Sequence, residues 1–226
     1  MKRLTTNEKE ALYEWSRFDE STNAIREISL GYKGHYKEEE PYRRYKGRVF
    51  TESNLDYSHA KDFNSAVAKL PNFTGDIYRG FGLQNAVTME DWMDKIEIGD
   101  IQTFRGHTSF TSDLETAKFF AAKYYKDFKK CPVLFKIKYT KNRDKAVDID
   151  KHTEFAGTEH EVVLLNPEKN YIVKKTGQID YLYEYHPYLE HSLIYHCAKT
   201  KKDKEKYKPT QLFVDIFYAE LVAEAI

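Results

Sequence analysis

The sequence lacks the features that mark several large classes of protein. Only two cysteines, Cys131 and Cys197, occur among the 226 residues, too few for a disulfide framework or a cysteine-rich metal site. No run approaches the roughly 20 apolar residues of a membrane-spanning helix. The chain becomes polar directly after Met1, so we expect no signal peptide, no membrane association and a cytoplasmic location.

A surplus of charge of one sign is also missing. Lys and Arg together number 36, as do Asp and Glu, so the formal net charge is zero. Such a protein has no overall field that attracts nucleic acid or an anionic membrane. The densest basic stretch, Lys199–Lys208, is the one feature that favours a nucleic-acid partner, although stretches of this kind are usually solvated loops.

Two common ligand-binding patterns are absent as well. The sequence contains no Gly-x-Gly-x-x-Gly, so a dinucleotide site of the Rossmann type is not predicted. His186, His191 and His196 recur at a spacing of five, which puts them on different faces of a helix, and Pro187 interrupts the segment. We therefore expect no metal centre.

The elements that are present run from helices to strands. Thr5 and Glu8 form a capping box before a helix, a second helix is predicted over Asn23–Leu30, and a third ends at Pro71. This order predicts an α+β fold in one domain over residues 1–226, with a helical lead-in (1–74), a β core (75–180) and a C-terminal extension (181–226). Within the extension, Gln211–Ile226 has the spacing of an amphipathic helix. The strands are predicted at Ile77–Arg79, Val133–Tyr139, Val147–Ile149, Glu161–Leu165 and Tyr171–Lys175.

An acidic pair precedes the apolar run of one predicted strand. Because residues i and i+2 of an extended chain share a face at a separation of about 7 Å, Glu159 and Glu161 are predicted to lie side by side. A solvated strand end is the simpler explanation of this feature taken alone. The preceding loop contains Phe155 and a glycine, as a recognition loop would.

An arginine and a set of hydroxyls complete the candidate residues. Arg79 offers a planar fork suited to phosphate, and Gly80 allows a ligand to approach the backbone, although a surface arginine is the simpler explanation of this motif alone. Ser112 and Glu115 form a capping box for a helix over Ser112–Tyr125. That structural role for Ser112 directs attention to Ser109 as the functional hydroxyl.

Taken in order, these motifs resemble a known enzyme family. An aromatic-Arg-Gly strand, a Ser-x-Thr-Ser segment before a helix and a Glu-x-Glu segment before a strand resemble the mono-ADP-ribosyltransferases of the Arg–Ser–Glu class, which include bacterial toxins and phage enzymes that modify host proteins. The resemblance covers roughly residues 8–175. Two departures are visible: the usual Ser-Thr-Ser is replaced by Ser109-Phe110-Thr111-Ser112, which leaves Thr111 as an alternative to Ser109, and Phe155 lies four residues before Glu159.

The resemblance implies a fold and a set of roles. The family fold consists of two packed, mixed or antiparallel β-sheets with N-terminal flanking helices and a cleft for NAD⁺, which is a substrate and needs no metal. Arg79 would bind the phosphates of NAD⁺, the Gly80 backbone would hold the nicotinamide amide, and Ser109 would orient Glu161. Glu161 would contact the nicotinamide ribose and stabilise the cation that forms when nicotinamide leaves.

The acceptor follows from the second acid. Glu-x-Glu is the arginine-specific form in the family, so Glu159 would hold and deprotonate an arginine of a target protein, with Phe155 assisting recognition. The protein is expected to act as a monomer. The alternatives are transfer to a nucleic acid or small molecule on the same scaffold, and a catalytically inactive relative that only binds.

Overall fold

Helices flank a large β-sheet in the computed structural model, which confirms the predicted α+β class. The structure describes residues 3–16, 43–45, 48–50, 57–83, 96–104, 106–128, 130–138, 145–165, 170–185 and 200–223. The described helices are α1 (Thr6–Ser16), α2 (Tyr57–Lys69), α3 (Leu114–Phe128) and α4 (Lys201–Lys206), together with a short 3₁₀ turn at Asp150–His152.

The strands form one large mixed sheet and one small pair. Their bounds are β1 (Arg43–Tyr45), β2 (Arg48–Phe50), β3 (Asp76–Leu83), β4 (Ile101–Gln102), β5 (Thr108–Thr111), β6 (Cys131–Lys138), β7 (Lys145–Asp148), β8 (Glu161–Leu165), β9 (Tyr171–Tyr185) and β10 (Thr210–Ala223). The order across the large sheet is β4-β9-β10-β6-β3-β5-β8-β7, in which β10 runs parallel to β6. The short strands β1 and β2 pair with each other.

The large sheet is nearly divided between β3 and β5. Those two strands are joined by one residue pair, Tyr78 with Thr111, whereas β3 pairs with β6 along its whole length. The two halves then pack against each other through one shared hydrophobic cluster, to which β5 and β8 contribute Phe110 and Val162 and the other half contributes Phe135 and Phe217. The arrangement agrees with the expected pair of packed sheets, linked here by a narrow connection.

The helices cover the outer faces of these two halves. Helices α1 and α2 pack on β7 and β8 through a cluster that includes Trp15, Phe63 and Val163. Helix α3 packs on the other half through a cluster that includes Ala121 and Ile216. Each half of the sheet therefore makes apolar contacts on both faces, with helices on the outer face and the shared cluster on the inner face, which explains the apolar runs in its buried strands.

The predicted capping box at the start of α1 is confirmed. The Thr5 backbone N–H donates to Glu8 Oε2 (2.7 Å), and the Glu8 N–H donates to Thr5 Oγ1 (3.3 Å). Glu8 is buried and also accepts hydrogen bonds from Lys69 and Ser65 of α2. These donors, Lys69 foremost, lower the pKa of Glu8 to about 2. The box therefore fixes α1 against α2 as well as starting the helix.

The helix predicted over Gln211–Ile226 is wrong, because most of this segment forms strand β10. It lies inside the sheet, between β9 and β6, so the sheet continues beyond residue 180, where the β core was predicted to end. Its residues Val214 and Ile216 face α3, while Phe217 packs in the core shared by the two halves. Apolar residues on both faces obscure the two-residue period of a strand, and the abundance of β-branched and aromatic residues was the better signal.

Several predictions fall on residues that the structure does not describe. The helix at Asn23–Leu30 lies outside the described residues, as do His186, His191 and His196. Within the described ranges, no helix is both long and apolar enough to cross a membrane. In the same part of the chain, no cluster of three or more His, Cys, Asp or Glu side chains could hold a metal ion.

Candidate active site

The split between β3 and β5 brings the candidate arginine to the candidate serine. Arg79 follows the single pair that joins the two strands, and its Nη1 donates to the backbone oxygen of Ser109 at 2.6 Å. The Arg79 side chain is half-buried. The guanidinium therefore lies at the edge of the split, beside the strand that leads to the other candidates.

Pairing of β5 with β8 places the hydroxyl residues next to the second acid. Thr111 lies directly opposite Glu161, and Ser109 lies opposite Val163. Because opposed residues in an antiparallel pair share a face, Ser109, Thr111 and Glu161 all lie on one face of the sheet. The register thus makes Ser109 a diagonal neighbour of Glu161, at a Cα separation of roughly 7–8 Å.

The hydroxyl of Thr111 has a structural role. Its Oγ1 donates to the backbone oxygen of Glu159 (2.7 Å) and accepts from the backbone N–H of Asp113 (3.0 Å). Thr111 therefore holds the loop before β8 against the start of α3. This use of Thr111 favours Ser109 as the hydroxyl that serves the site.

Glu161 is held by hydrogen bonds to both its side chain and its backbone. The carboxylate is buried, with 6% of the residue exposed, and its Oε1 accepts a hydrogen bond of 2.9 Å from Trp15 Nε1. Its backbone oxygen accepts from the N–H of Ile149 at 3.0 Å. Both the backbone and the side chain of Glu161 are thus fixed by elements outside its own strand.

Glu159 does not sit on the strand, contrary to the strand geometry predicted for the pair. Strand β8 begins at Glu161, and the residue between the two acids, His160, has a φ of 49°. A left-handed residue interrupts the alternation of a strand, so the rule for residues i and i+2 does not apply here. The Glu159 carbonyl is held by Thr111, and the His160 carbonyl accepts from the Ser112 N–H at 2.9 Å.

The two acids nevertheless interact electrostatically. Burial raises the pKa of Glu159 to about 7, with the negative charge of Glu161 contributing to the rise and Lys123 opposing it. Glu159 is half-buried. A carboxyl group with this pKa exchanges a proton near neutral pH, which is what a general base requires.

Phe155 lies exposed in the loop between the 3₁₀ turn and β8. The residue is 38% exposed, and its carbonyl accepts from the Thr158 N–H at 2.9 Å. The neighbouring N–H of Glu154 donates to Ser16 Oγ of α1 (3.0 Å), and the Gly157 N–H donates to Asp150 Oδ2 (2.9 Å). The loop is therefore anchored on both sides of an aromatic ring that faces solvent.

The predicted cap of the following helix is wrong by one residue. Helix α3 begins at Leu114, and Asp113 is its N-cap, since Asp113 Oδ2 accepts from the Thr116 N–H at 2.7 Å. That hydrogen bond is the main cause that lowers the pKa of Asp113. The Ser112 N–H is bonded to the His160 carbonyl, and Asp113 directly precedes the first residue of α3, so Asp113 is the residue placed to cap the helix.

Gly80 has a packing role in the fold. A Cβ at this position would lie 1.7 Å from the backbone oxygen of Ala117. The missing side chain therefore lets α3 pack directly on β3, a requirement separate from the ligand approach that the sequence pattern predicts. Contact of the Gly80 backbone with nicotinamide stays a prediction.

One residue at the site was missed by sequence reasoning. The helical spacing of Trp15 with Ala11 and Leu12 indicates only an apolar position on α1, whereas its indole N–H reaches Glu161 across 146 positions of sequence. No local sequence pattern predicts such a contact, because helical spacing indicates that a side chain is buried but not which residue it contacts.

Comparison with solved structures identifies the fold. The Vis toxin, an ADP-ribosyltransferase from Vibrio splendidus, matches over 98% of this chain and 75% of its own at 17% identity, with a TM-score of 0.51. Plx2a, an ADP-ribosyltransferase toxin from Paenibacillus larvae, matches over 98% of this chain and 88% of its own at 13% identity, with a TM-score of 0.52. An ADP-ribosyltransferase from Clostridium botulinum matches over 97% of this chain and 88% of its own at 14% identity, with a TM-score of 0.50.

At the level of sequence, no protein-family model and no curated protein matches the chain. The structural matches confirm the predicted resemblance at the level of the fold: the chain has the fold of the toxin-type ADP-ribosyltransferases.

Proposed function

We propose that the protein is a mono-ADP-ribosyltransferase that transfers ADP-ribose from NAD⁺ to arginine side chains of target proteins and releases nicotinamide. The observation that carries the proposal is the juxtaposition of Glu159, whose pKa is raised to about 7, with the buried Glu161 beside it. The fold shared with known ADP-ribosyltransferases supports the same reaction class.

The first half of the reaction depends on Glu161. The bond between nicotinamide and the ribose C1′ breaks, its electron pair leaves with the nicotinamide nitrogen, and positive charge develops on the ribose. A fixed carboxylate stabilises such charge best when it is already oriented and shielded from water. The burial and the hydrogen bonding of Glu161 support this role.

Arg79 and Ser109 would serve the same step. A guanidinium binds phosphate through a planar fork, and Arg79 lies half-buried at the split beside Ser109. The Ser109 side chain shares a face with Glu161, which supports its role in orienting that carboxylate. Both roles are consistent with NAD⁺ lying along the split between β3 and β5.

The second half of the reaction depends on Glu159. A guanidinium is a poor nucleophile while protonated, so a base must accept its proton as the nitrogen attacks C1′. The raised pKa of Glu159 means that it can hold the proton it removes near neutral pH. Phe155 lies in the same loop, and the exposure of its ring supports a role in contacting the surface of a target protein.

A guanidinium compound is the natural small acceptor for a test. A solved structure of the Vis enzyme contains agmatine, which carries the same guanidinium group as arginine. We expect the wild-type protein, supplied with NAD⁺ and agmatine, to produce nicotinamide and ADP-ribosyl-agmatine, both quantified by chromatography and mass spectrometry.

The variant Glu159→Gln separates the two halves of the reaction. NAD⁺ hydrolysis should stay within a few-fold of wild type, because water still attacks the cation, whereas transfer to agmatine should fall by about 100-fold or more. Glu154→Gln, which changes an exposed glutamate of the same loop, is the matched control. Equal losses of hydrolysis and transfer in Glu159→Gln would remove the reason for assigning arginine as the acceptor. If the wild type, given labelled NAD⁺ with both agmatine and nucleic acid, labels the nucleic acid alone, the alternative acceptor is favoured.

A further inference from the structure

We propose that Trp15 of helix α1 is a positioning residue for Glu161, fixing the orientation of its carboxylate through the indole N–H. The proposal rests on the proposed function, in which Glu161 stabilises the developing cation. It adds to the site a residue from the helical lead-in, a segment that the sequence pattern sets apart from the β core.

The contact itself is short and shielded from solvent. Trp15 Nε1 lies 2.9 Å from Glu161 Oε1, and Trp15 is 1% exposed. An indole N–H can only donate, so a buried tryptophan needs an acceptor, and an ionised carboxylate is the strongest one available. Because the donor is uncharged, it can orient the carboxylate without neutralising the charge that the reaction needs.

The indole ring is itself held in place by α2 and by His107, directly before β5. Phe63 of α2 stacks on Trp15 with ring centroids 4.6 Å apart, and His107 meets it edge-on at 6.1 Å. The His107 ring is in turn fixed by a 2.9 Å contact between its Nε2 and Asn64 Oδ1. A donor confined on these sides restrains rotation of the carboxylate to which it is bonded.

Such restraint matters for the proposed reaction. A carboxylate stabilises a transition state most when it needs no reorganisation as charge develops. A misplacement of about 1 Å can lower a rate by about 100-fold. Loss of the donor also makes a carboxylate easier to protonate, so it should alter how the rate depends on pH.

Two changes at Trp15 isolate the N–H. Trp15→Phe keeps an aromatic ring, and replacement by 3-benzothienylalanine keeps the size and shape of indole while sulfur replaces the N–H. For both, we expect kcat for NAD⁺ hydrolysis to fall by about 10- to 100-fold, with KM for NAD⁺ within about three-fold of wild type. The acidic limb of the pH–rate profile should move to higher pH. Measuring the profile in a Glu159→Gln background removes the contribution of Glu159, the other acid of the pair.

A packing control separates this role from simple stabilisation. Val67→Ala removes side-chain volume from the same hydrophobic cluster without touching the N–H, so it should lower thermal stability but leave the pH–rate profile unchanged. A benzothienylalanine variant with wild-type kcat and pH profile would overturn the proposal, since packing alone would then account for Trp15.

A spectroscopic arm tests the contact independently of activity. The chain contains two tryptophans, and the indole resonance lost in Trp15→Phe identifies Trp15 in a ¹⁵N spectrum. That resonance should shift with pH in the wild type and should not show the same transition in Glu161→Gln. An identical titration in both proteins would overturn the proposal. A wild type that cleaves no NAD⁺ would instead refute the proposed function, and the positioning role with it, while the indole titration would still report on the contact.

Discussion

Replacing Glu159 with glutamine should stabilise the folded protein above neutral pH, although it removes a group assigned to the reaction. Burial, with help from the charge of Glu161, raises the pKa of Glu159 from an ordinary value of 4.5 to about 7. One pKa unit corresponds to about 1.4 kcal/mol, so the rise from 4.5 to about 7 makes ionisation of this group in the folded chain cost at most about 3.5 kcal/mol. Solvent screens part of this cost because the side chain is half-exposed, and we expect a gain of about 1–2 kcal/mol.

The gain should depend on pH in a defined direction. Below pH 4.5 the Glu159 side chain is protonated in both the folded and the unfolded chain, so the glutamine variant and the wild type should be equally stable. As the pH rises towards 7, the unfolded chain loses this proton first, and the wild type becomes progressively less stable than the variant.

Urea unfolding at pH 4 and pH 8 measures this difference directly. Glu154→Gln, on the same loop and exposed, serves as the control and should change the free energy of unfolding little at either pH. A Glu159→Gln variant no more stable than wild type at pH 8, or equally stabilised at both pH values, would refute the reasoning.

Two further predictions concern the elements that frame the site, and thermal or urea denaturation measures both. Asp113→Ala should lower the free energy of unfolding by about 0.5–2 kcal/mol because it removes the N-cap of α3, whereas Ser112→Ala should cost less; the reverse order would restore the cap predicted from sequence. Gly80→Ala should destabilise by about 1–3 kcal/mol or more, since its Cβ would meet the Ala117 carbonyl oxygen of α3, and a variant as stable as wild type would show that this close approach is not needed.

Sequence patterns predicted the structure correctly where the interacting residues are close together in the sequence. The capping box of Thr5 and Glu8 spans three residues and was predicted correctly, and the strand at Glu161–Leu165 was predicted with the bounds that the structure gives. The α3 cap was missed by one residue because Ser112 and Asp113 are both good caps. Pairing of Ser112 with His160, which is distant in sequence, decided between them.

Interactions distant in sequence explain the larger failures. Strand β10 was predicted as a helix because its apolar residues fit helical spacing, whereas its place in the sheet is set by pairing with β6 and β9, which a local sequence pattern does not reveal. The contact of Trp15 with Glu161 is of the same kind. For Glu159, the strand rule predicted a position beside Glu161, and the two carboxylates do interact electrostatically. The predicted strand geometry is wrong, because His160 between them adopts a left-handed conformation.

The central claim, that Glu161 stabilises the cation formed from NAD⁺, is tested most directly by measuring nicotinamide release. Purified wild type and Glu161→Gln are incubated with NAD⁺, with and without agmatine, and NAD⁺ binding is measured separately. We predict steady release by the wild type and a decrease of about 1,000-fold in the variant with NAD⁺ binding retained. No release by the wild type, or equal release by the variant, would contradict the account.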